Sequence, residues 1–144
     1  MSDQIHLLIG ANPWRPSGDA DLVEEFDNYD MPTAGVVAQS GCYFLFECVE
    51  GIALAANVWL YAPITESEEE QLSRLSGSKL AQAMDEVWGS RDATVALAEG
   101  DAIRTGGTVS QHLIEHRGPR AAAVSALQAI LKEMDASGAL DAAS

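Results

Sequence analysis

The stretch Cys42-Tyr43-Phe44-Leu45-Phe46-Glu47-Cys48 carries both cysteines of the chain, with a glutamate inside an apolar run. Two thiols could do redox or nucleophilic chemistry, and a carboxylate in such a run could act as an acid or base. The spacing bears on the first possibility. The run reads as a strand, and six residues of strand span about 20 Å. A disulfide tolerates a Cα separation of only about 7 Å. Strand alternation puts Cys42, Phe44, Phe46 and Cys48 on one face, and Tyr43, Leu45, Glu47 and Val49 on the other. A thiol among phenylalanines behaves as a small hydrophobe with a raised pKa, so both cysteines are expected to be buried, unbridged and inert. Glu47 is either a solvent-side residue of an antiparallel sheet or a half-buried carboxylate that needs a partner.

Two other stretches hold groups capable of chemistry. His112-Leu113-Ile114-Glu115-His116 fits the H-x-x-E-H spacing of inverted zinc peptidases. That chemistry needs both imidazoles on one helical face, with the glutamate as general base. Thr108 and Gln111 allow a capping box, but Gly118–Pro119 stops the segment at once, and only Glu133, Asp135 and Asp141 remain beyond it as acids. In a strand the two histidines stand about 13 Å apart and share no ion. Helix and strand both remain open for residues 109–117, and no metal site is expected. Phe26-Asp27-Asn28-Tyr29-Asp30-Met31-Pro32 gathers two aromatics, two aspartates and a proline. It reads as a turn leading into a strand, and functionally as a polar, aromatic lip of the kind that anchors interfaces. Nothing completes Asp27 and Asp30 as an acid–base pair. The phosphate-loop, dinucleotide and nucleophile-elbow patterns are missing. No catalytic residue and no cofactor are therefore expected.

The elements that must position these groups are legible from pattern. Ile5–Ile9 reads as a short first strand, and the proline-rich Ala11–Asp19 as a loop pinned by Trp14. Ala20–Phe26 is either a short helix or an extended lead-in. Residues 34–39 and 42–49 form a hairpin around Ser40–Gly41, in which Gln39 faces Cys42, Val37 faces Phe44 and Gly35 faces Phe46. Ala56–Ala62 is a third strand, with Val58, Leu60 and Ala62 on one side and Asn57, Trp59 and Tyr61 on the other. If it lies beside the second hairpin strand, Asn57, Trp59 and Tyr61 can share the face of Glu47. Thr65 and Glu68 make a capping box for a helix over 65–75, whose first-turn glutamates complement the helix dipole and which Gly77 can end. Leu80, Met84, Val87 and Trp88 form the apolar stripe of a second helix stopped by Gly89. Ala93–Ala98 is a further strand, and residues 102–111 read as a hairpin turning at Gly106–Gly107. Pro119 opens a last helix, buried through Val124, Leu127, Leu131 and Met134 and ended by Gly138.

The chain has 144 residues and a net charge of −14, from 22 acids and 8 bases. Residues 1–50 carry −8 (nine acids, one base), residues 51–100 carry −5 (eight and three), and the remainder −1 (five and four). Such a balance excludes phosphate-driven nucleic-acid binding and adhesion to anionic membranes. It suits solubility and the steering of a basic partner. No apolar run reaches the roughly 18 residues of a membrane span, and the N-terminus lacks the basic region of a secretory signal. A cytoplasmic protein is the expectation.

The order Tyr29-Asp30-Met31-Pro32, an aromatic strand with Tyr43-Phe44-Leu45-Phe46, then Pro63-Ile64 before a glutamate-rich helix resembles small bacterial proteins with no assigned function. The resemblance spans residues 26–88 and implies a small α+β fold without implying an activity. The expected architecture is a single α+β domain over residues 1–138, with a loose tail over 139–144. It comprises an antiparallel sheet of four to six strands with two or three helices on one side. The expected function is that of an acidic, non-enzymatic interaction module of the immunity, antitoxin, inhibitor or regulatory adaptor kind. Its partner is a protein with a basic patch, and a homo-oligomer is equally compatible. The interaction residues are Asp27, Tyr29, Asp30, Tyr43, Glu47, Trp59 and Tyr61, with Tyr43, Trp59 and Tyr61 exposed. The alternative is a small enzyme or ligand-binding domain built around Glu47 and neighbouring aromatics.

Overall fold

The centre of the fold is the hairpin of β2 (Pro32–Gln39) and β3 (Cys42–Glu50). Its register is the expected one: Gln39 opposite Cys42, Val37 opposite Phe44, Gly35 opposite Phe46. Ser40 and Gly41 both have positive φ, 52° and 81°, the conformation that matches the twist of the flanking strands. Serine is uncommon there, and its hydroxyl donates to Asp19 at 2.7 Å.

The computed structural model describes residues 4–51 and 56–136. Six antiparallel strands run in chain order, with β1 (Asp21–Asn28) at one edge, then β2, β3, β4 (Ala56–Ile64), β5 (Ala93–Glu99), and β6 (Ala102–Val109) at the other. Among the described residues, four helices follow the fourth and sixth strands: α1 (Glu66–Ser73), α2 (Gly77–Trp88), α3 (Gln111–Arg117) and α4 (Pro119–Ala136). The fold is α+β, as expected. The helix count exceeds two or three because residues 111–117 make a helix of their own. Gly138 and the tail lie outside the described residues.

Strand parity divides the protein into two cores. On one face Leu45, Val36, Leu60, Ala62 and Val95 pack against Leu72 of α1, Met84, Val87 and Trp88 of α2, Ile114 of α3, and Ala122, Ala123 and Leu127 of α4. All four helices thus cover the same face. On the other face Val37, Phe44, Phe46, Cys48, Trp59, Tyr61 and Ile103 meet no helix, and Ile5, Leu7, Ala11 and Trp14 cover them instead. Residues 5–9 are therefore not a strand. They belong to a strap whose backbone bonds to Gln39 and to the edge of β6: His6 N to Gln39 Oε1 at 2.6 Å, Gln39 Nε2 to His6 O at 2.9 Å, Gly10 N to Ile103 O and Ile103 N to Ala11 O at 2.8 Å each.

Several boundaries differ from the sequence reading for steric reasons. Of Ala20–Phe26, all but Ala20 lies within the extended β1. Gly106 and Gly107 lie inside β6, and the turn falls at Gly100–Asp101 instead. A Cβ on Gly106 would meet Leu7 Cδ1 at 2.7 Å and Val95 O at 2.6 Å, and one on Gly107 would meet Ile130 Cδ1 at 2.5 Å. These glycines admit the strap on one side and α4 on the other. The capping box of α1 is present, Glu68 N to Thr65 Oγ1 at 3.1 Å and Thr65 N to Glu68 Oε1 at 2.9 Å, but Gly77 opens α2 rather than closing α1. On α4 the buried stripe runs through Ala122, Ala123 and Leu127, with Ile130 and Leu131 partly buried, so Val124 falls beside the stripe and not within it.

Candidate functional site

Cys48 is 6% exposed, and burial pushes its thiol up to about 11. Cys42, at the start of β3, is only half-buried, which corrects the expectation that both are enclosed; the two thiols are not bridged to each other. The His112–His116 segment is helical. Ser110 caps it, accepting from Leu113 N at 3.2 Å, so the Thr108–Gln111 box is not the device used. The two exposed imidazoles stand 4.1 Å apart, and His116 Nδ1 lies 3.0 Å from His112 O. Among the described residues no three His, Cys, Asp or Glu side chains converge on a common point.

Trp59 and Tyr61 are 0% and 1% exposed, which overturns their placement on an open surface. The register explains why. Glu47 pairs with Leu60 and Leu45 with Ala62, so the side chains of β4 that share the face of Glu47 are Val58, Leu60 and Ala62. Trp59 and Tyr61 point the other way, beneath the strap. The Tyr61 hydroxyl donates to Pro13 O at 2.6 Å, the Trp59 indole donates to Asn57 Oδ1, and the Trp14 and Trp59 rings lie 6.2 Å apart. Both polar tips are satisfied, as buried aromatics require. Tyr43 is half-buried and packs against the helix-side core, so it too is no exposed anchor.

Glu47 stands differently. It faces the helices, half-buried, and accepts a long 3.3 Å bond from the indole Nε1 of Trp88. Burial is the main cause that raises its pKa; the Trp88 bond opposes this, and the charges of Asp85 and Asp27 add to it. Beside it lies a cavity of about 290 Å³ lined by Phe26, Asp27, Ala34, Glu47, Gly77, Leu80, Ala81 and Met84. Phe26 and Asp27 are sequence neighbours yet share this wall, because β1 is bulged between Glu25 and Asp27 and two residues there oppose one. The bulged strand approaches closely because β2 has a glycine: a Cβ on Gly35 would lie 2.0 Å from Glu24 O.

The acidity extends beyond the cavity. Glu24, opposite Val36, projects to the helix side of β1. The pKa of Glu69 on α1 is raised, by partial desolvation first and then by the charges of Glu24, Glu70 and Glu66. The protein's ion pairs lie elsewhere. Among the described residues they are Arg91–Glu68 at 2.7 Å, Arg104–Glu99 at 3.5 Å and Arg120–Glu50 at 2.8 Å. None of them neutralises Glu24, Asp27, Glu47, Glu69 or Asp85. Tyr29 is 57% exposed at the β1–β2 turn, and next to it Asp30 has φ 60° and is also exposed. Of the seven expected interaction residues, one cavity joins Asp27 and Glu47, the adjoining turn carries Tyr29 and Asp30, and Tyr43 packs into the core of the same face. Phe26, Leu80, Met84, Asp85 and Glu69 were not assigned to the site from sequence. The signal for Leu80 and Met84 was the stripe of α2 combined with the parity of Glu47; Phe26, Asp85 and Glu69 carried none.

A larger hollow of about 590 Å³ lies at the start of α4, lined by Glu50, Arg117, Arg120, Pro119 and Val124 among others. Its Arg120 is already paired with both oxygens of Glu50 at 2.8–2.9 Å. Comparison with known protein families, with curated proteins and with solved structures finds no match to this chain. No helix among the described residues is long and apolar enough to cross a membrane.

Proposed function

We propose that this protein is an acidic, non-enzymatic interaction module, of the immunity, antitoxin, inhibitor or adaptor kind, that docks a basic protein partner on the face shared by β1, α1 and α2. One observation carries the reading: carboxylates from these elements and from β3 crowd one face, Glu24 against Glu69 and Asp27 and Asp85 against Glu47, with no cation among the described residues paired to any of them. Like charges held together without compensation oppose folding, and a basic partner supplies the compensation. The exposed apolar side chains of Val23 in β1 and Tyr29 in its turn provide contact area beside the charges. The cytoplasm, where free thiols stay reduced, is the matching compartment.

The cavity beside Glu47 is the observation that favours the alternative, a small enzyme or ligand-binding domain. At about 290 Å³ it lies at the lower edge of the roughly 300–1,000 Å³ range of small-molecule sites, and two of the aromatics meant to complete it, Trp59 and Tyr61, are on the other side of the sheet. The interaction reading is therefore preferred.

The test is association of a basic partner captured by the immobilised protein, followed at about 50 and 300 mM salt, over which the Debye length falls from roughly 14 to 6 Å. Association should slow with salt, and reversing Glu24, Asp27 and Glu69 to lysine should slow it further. Salt-independent association that the reversed variant shares would reduce the acidic face to a solubility surface.

A further inference from the structure

The cavity beside Glu47 has walls and a floor of different chemistry. Phe26, Leu80 and Met84 provide apolar walls, Gly77 and Ala81 leave room between the turns of α2, and the Glu47 carboxylate sits inside with Asp27 on the same lining. The Glu47 carboxylate accepts one hydrogen bond from the described residues, the long one from Trp88, well short of what a carboxylate can accept. Asp85, on the same helix as Trp88, adds a second negative field. A long side chain with an aliphatic stem and a cationic head matches all of this: the stem lies along apolar surface while the head meets the carboxylate. A neutral ligand leaves the crowded charges uncompensated, and an anion is repelled.

We infer that this cavity is a socket for one lysine or arginine side chain of the partner, with its stem between Phe26, Leu80 and Met84 and its cationic head on Glu47 and Asp27. The inference rests on the acidic-face reading and adds its anchor point. The rest of the face, Glu24 and Glu69 included, steers the partner, while the socket holds it. Lysine and arginine present the same chemistry here, and separate probes distinguish them.

The test uses N-acetyl-lysinamide, N-acetyl-argininamide and the uncharged N-acetyl-norleucinamide, titrated to about 20 mM, a range that detects millimolar affinity. The readout is the indole N–H resonance of Trp88, identified by its loss in Trp88→Phe. One or both cationic probes should shift it saturably, and the norleucine probe should not. The indole of Trp59, on the opposite face, should stay in place. Glu47→Gln should weaken the cationic probes at least tenfold, and Asp27→Asn about threefold. No shift with either cation, or an equal response in Glu47→Gln, overturns the socket. A pentalysine peptide at low salt separates this from failure of the wider reading. If pentalysine binds the wild type and Glu47→Gln alike but is lost in Glu24→Lys/Glu69→Lys, the face stands and the socket falls. If it binds none of them, the acidic-face reading falls as well.

Discussion

The two faces of the sheet solve one burial problem in opposite ways. The strap face carries most of the buried aromatics, Phe44, Phe46, Trp59 and Tyr61, and closes over them with a coil segment; among the described residues no buried side-chain polar atom lacks a partner. The helix face has more covering structure, yet it leaves Glu47 half-buried beside a cavity. Buried aromatics therefore concentrate on the strap face, and the half-buried carboxylate lies on the face proposed to dock a partner. Exposed aromatics are common interface anchors, but here the aromatics were needed where no helix was available to fill space.

The largest effect should come from breaking the strap face. Trp59→Ala removes a fully buried indole that touches Trp14 and Phe46, with centroids 6.2 and 6.1 Å away, and leaves Asn57 Oδ1 without its donor. Loss of about 3–5 kcal/mol in urea unfolding is expected. A change below about 1 kcal/mol would mean that the strap does not enclose this ring.

How far the sequence disclosed this division depended on turn chemistry. Ser40–Gly41 is a turn that sets register, so the parity of β2 and β3 and the placement of both cysteines followed from it. Between β3 and β4 the only turn residue is Gly51 in an otherwise apolar stretch, so the register of β4 was not determined. A one-residue difference moves Trp59 and Tyr61 to the other face. Gly106–Gly107 misled for a related reason. A glycine pair signals a turn locally, but these answer to Leu7 and Ile130, contacts distant in sequence. The site was half legible: Glu47 and Asp27 could be named, while the bulge that brings Asp27 into line depends on Gly35 meeting Glu24 O.

A second break acts on the helix face through pH. Arg91 donates to both oxygens of Glu68, at 2.8 and 2.7 Å, and to Pro63 O at 2.8 Å. The Arg91 bonds chiefly hold Glu68 down to about 2, from an ordinary 4.5. Because the folded pKa is depressed, the stabilisation is complete above about 4.5 and is lost as pH falls towards 2. Arg91→Ala should cost about 1–2 kcal/mol at pH 7, discounted for solvent contact. The difference from wild type should shrink across that acid window. A constant difference down to pH 2 would assign the loss to packing.

Tyr61→Phe sharpens the picture of the strap. It removes the 2.6 Å bond to Pro13 O and leaves the ring. A cost of about 1 kcal/mol is expected. Local opening should also speed labelling of Cys48, on the same face, while Cys42, already half-buried, changes little. Equal acceleration of both thiols would indicate global rather than strap opening.

The smallest effect should have the opposite sign. Glu47→Gln keeps an acceptor for Trp88 Nε1 and removes a charge that burial disfavours and that Asp85 and Asp27 repel. A carboxyl whose folded pKa is raised binds more protons folded than unfolded, so stability falls as pH rises from the unfolded pKa through the folded one. Below that window the wild-type carboxyl is neutral in both states and the substitution should be silent. Above it the variant should be more stable, by up to about 1 kcal/mol, read as a higher melting temperature at pH 7 than wild type and an equal one near pH 3.5. The same variant is expected to lose the cationic probe. A gain in stability with a loss of binding is the signature of a carboxylate kept for a partner, because a residue placed for the fold alone would lower both when replaced. Destabilisation at pH 7 would show that Glu47 belongs to the structural side of the comparison, with Trp59 and Tyr61.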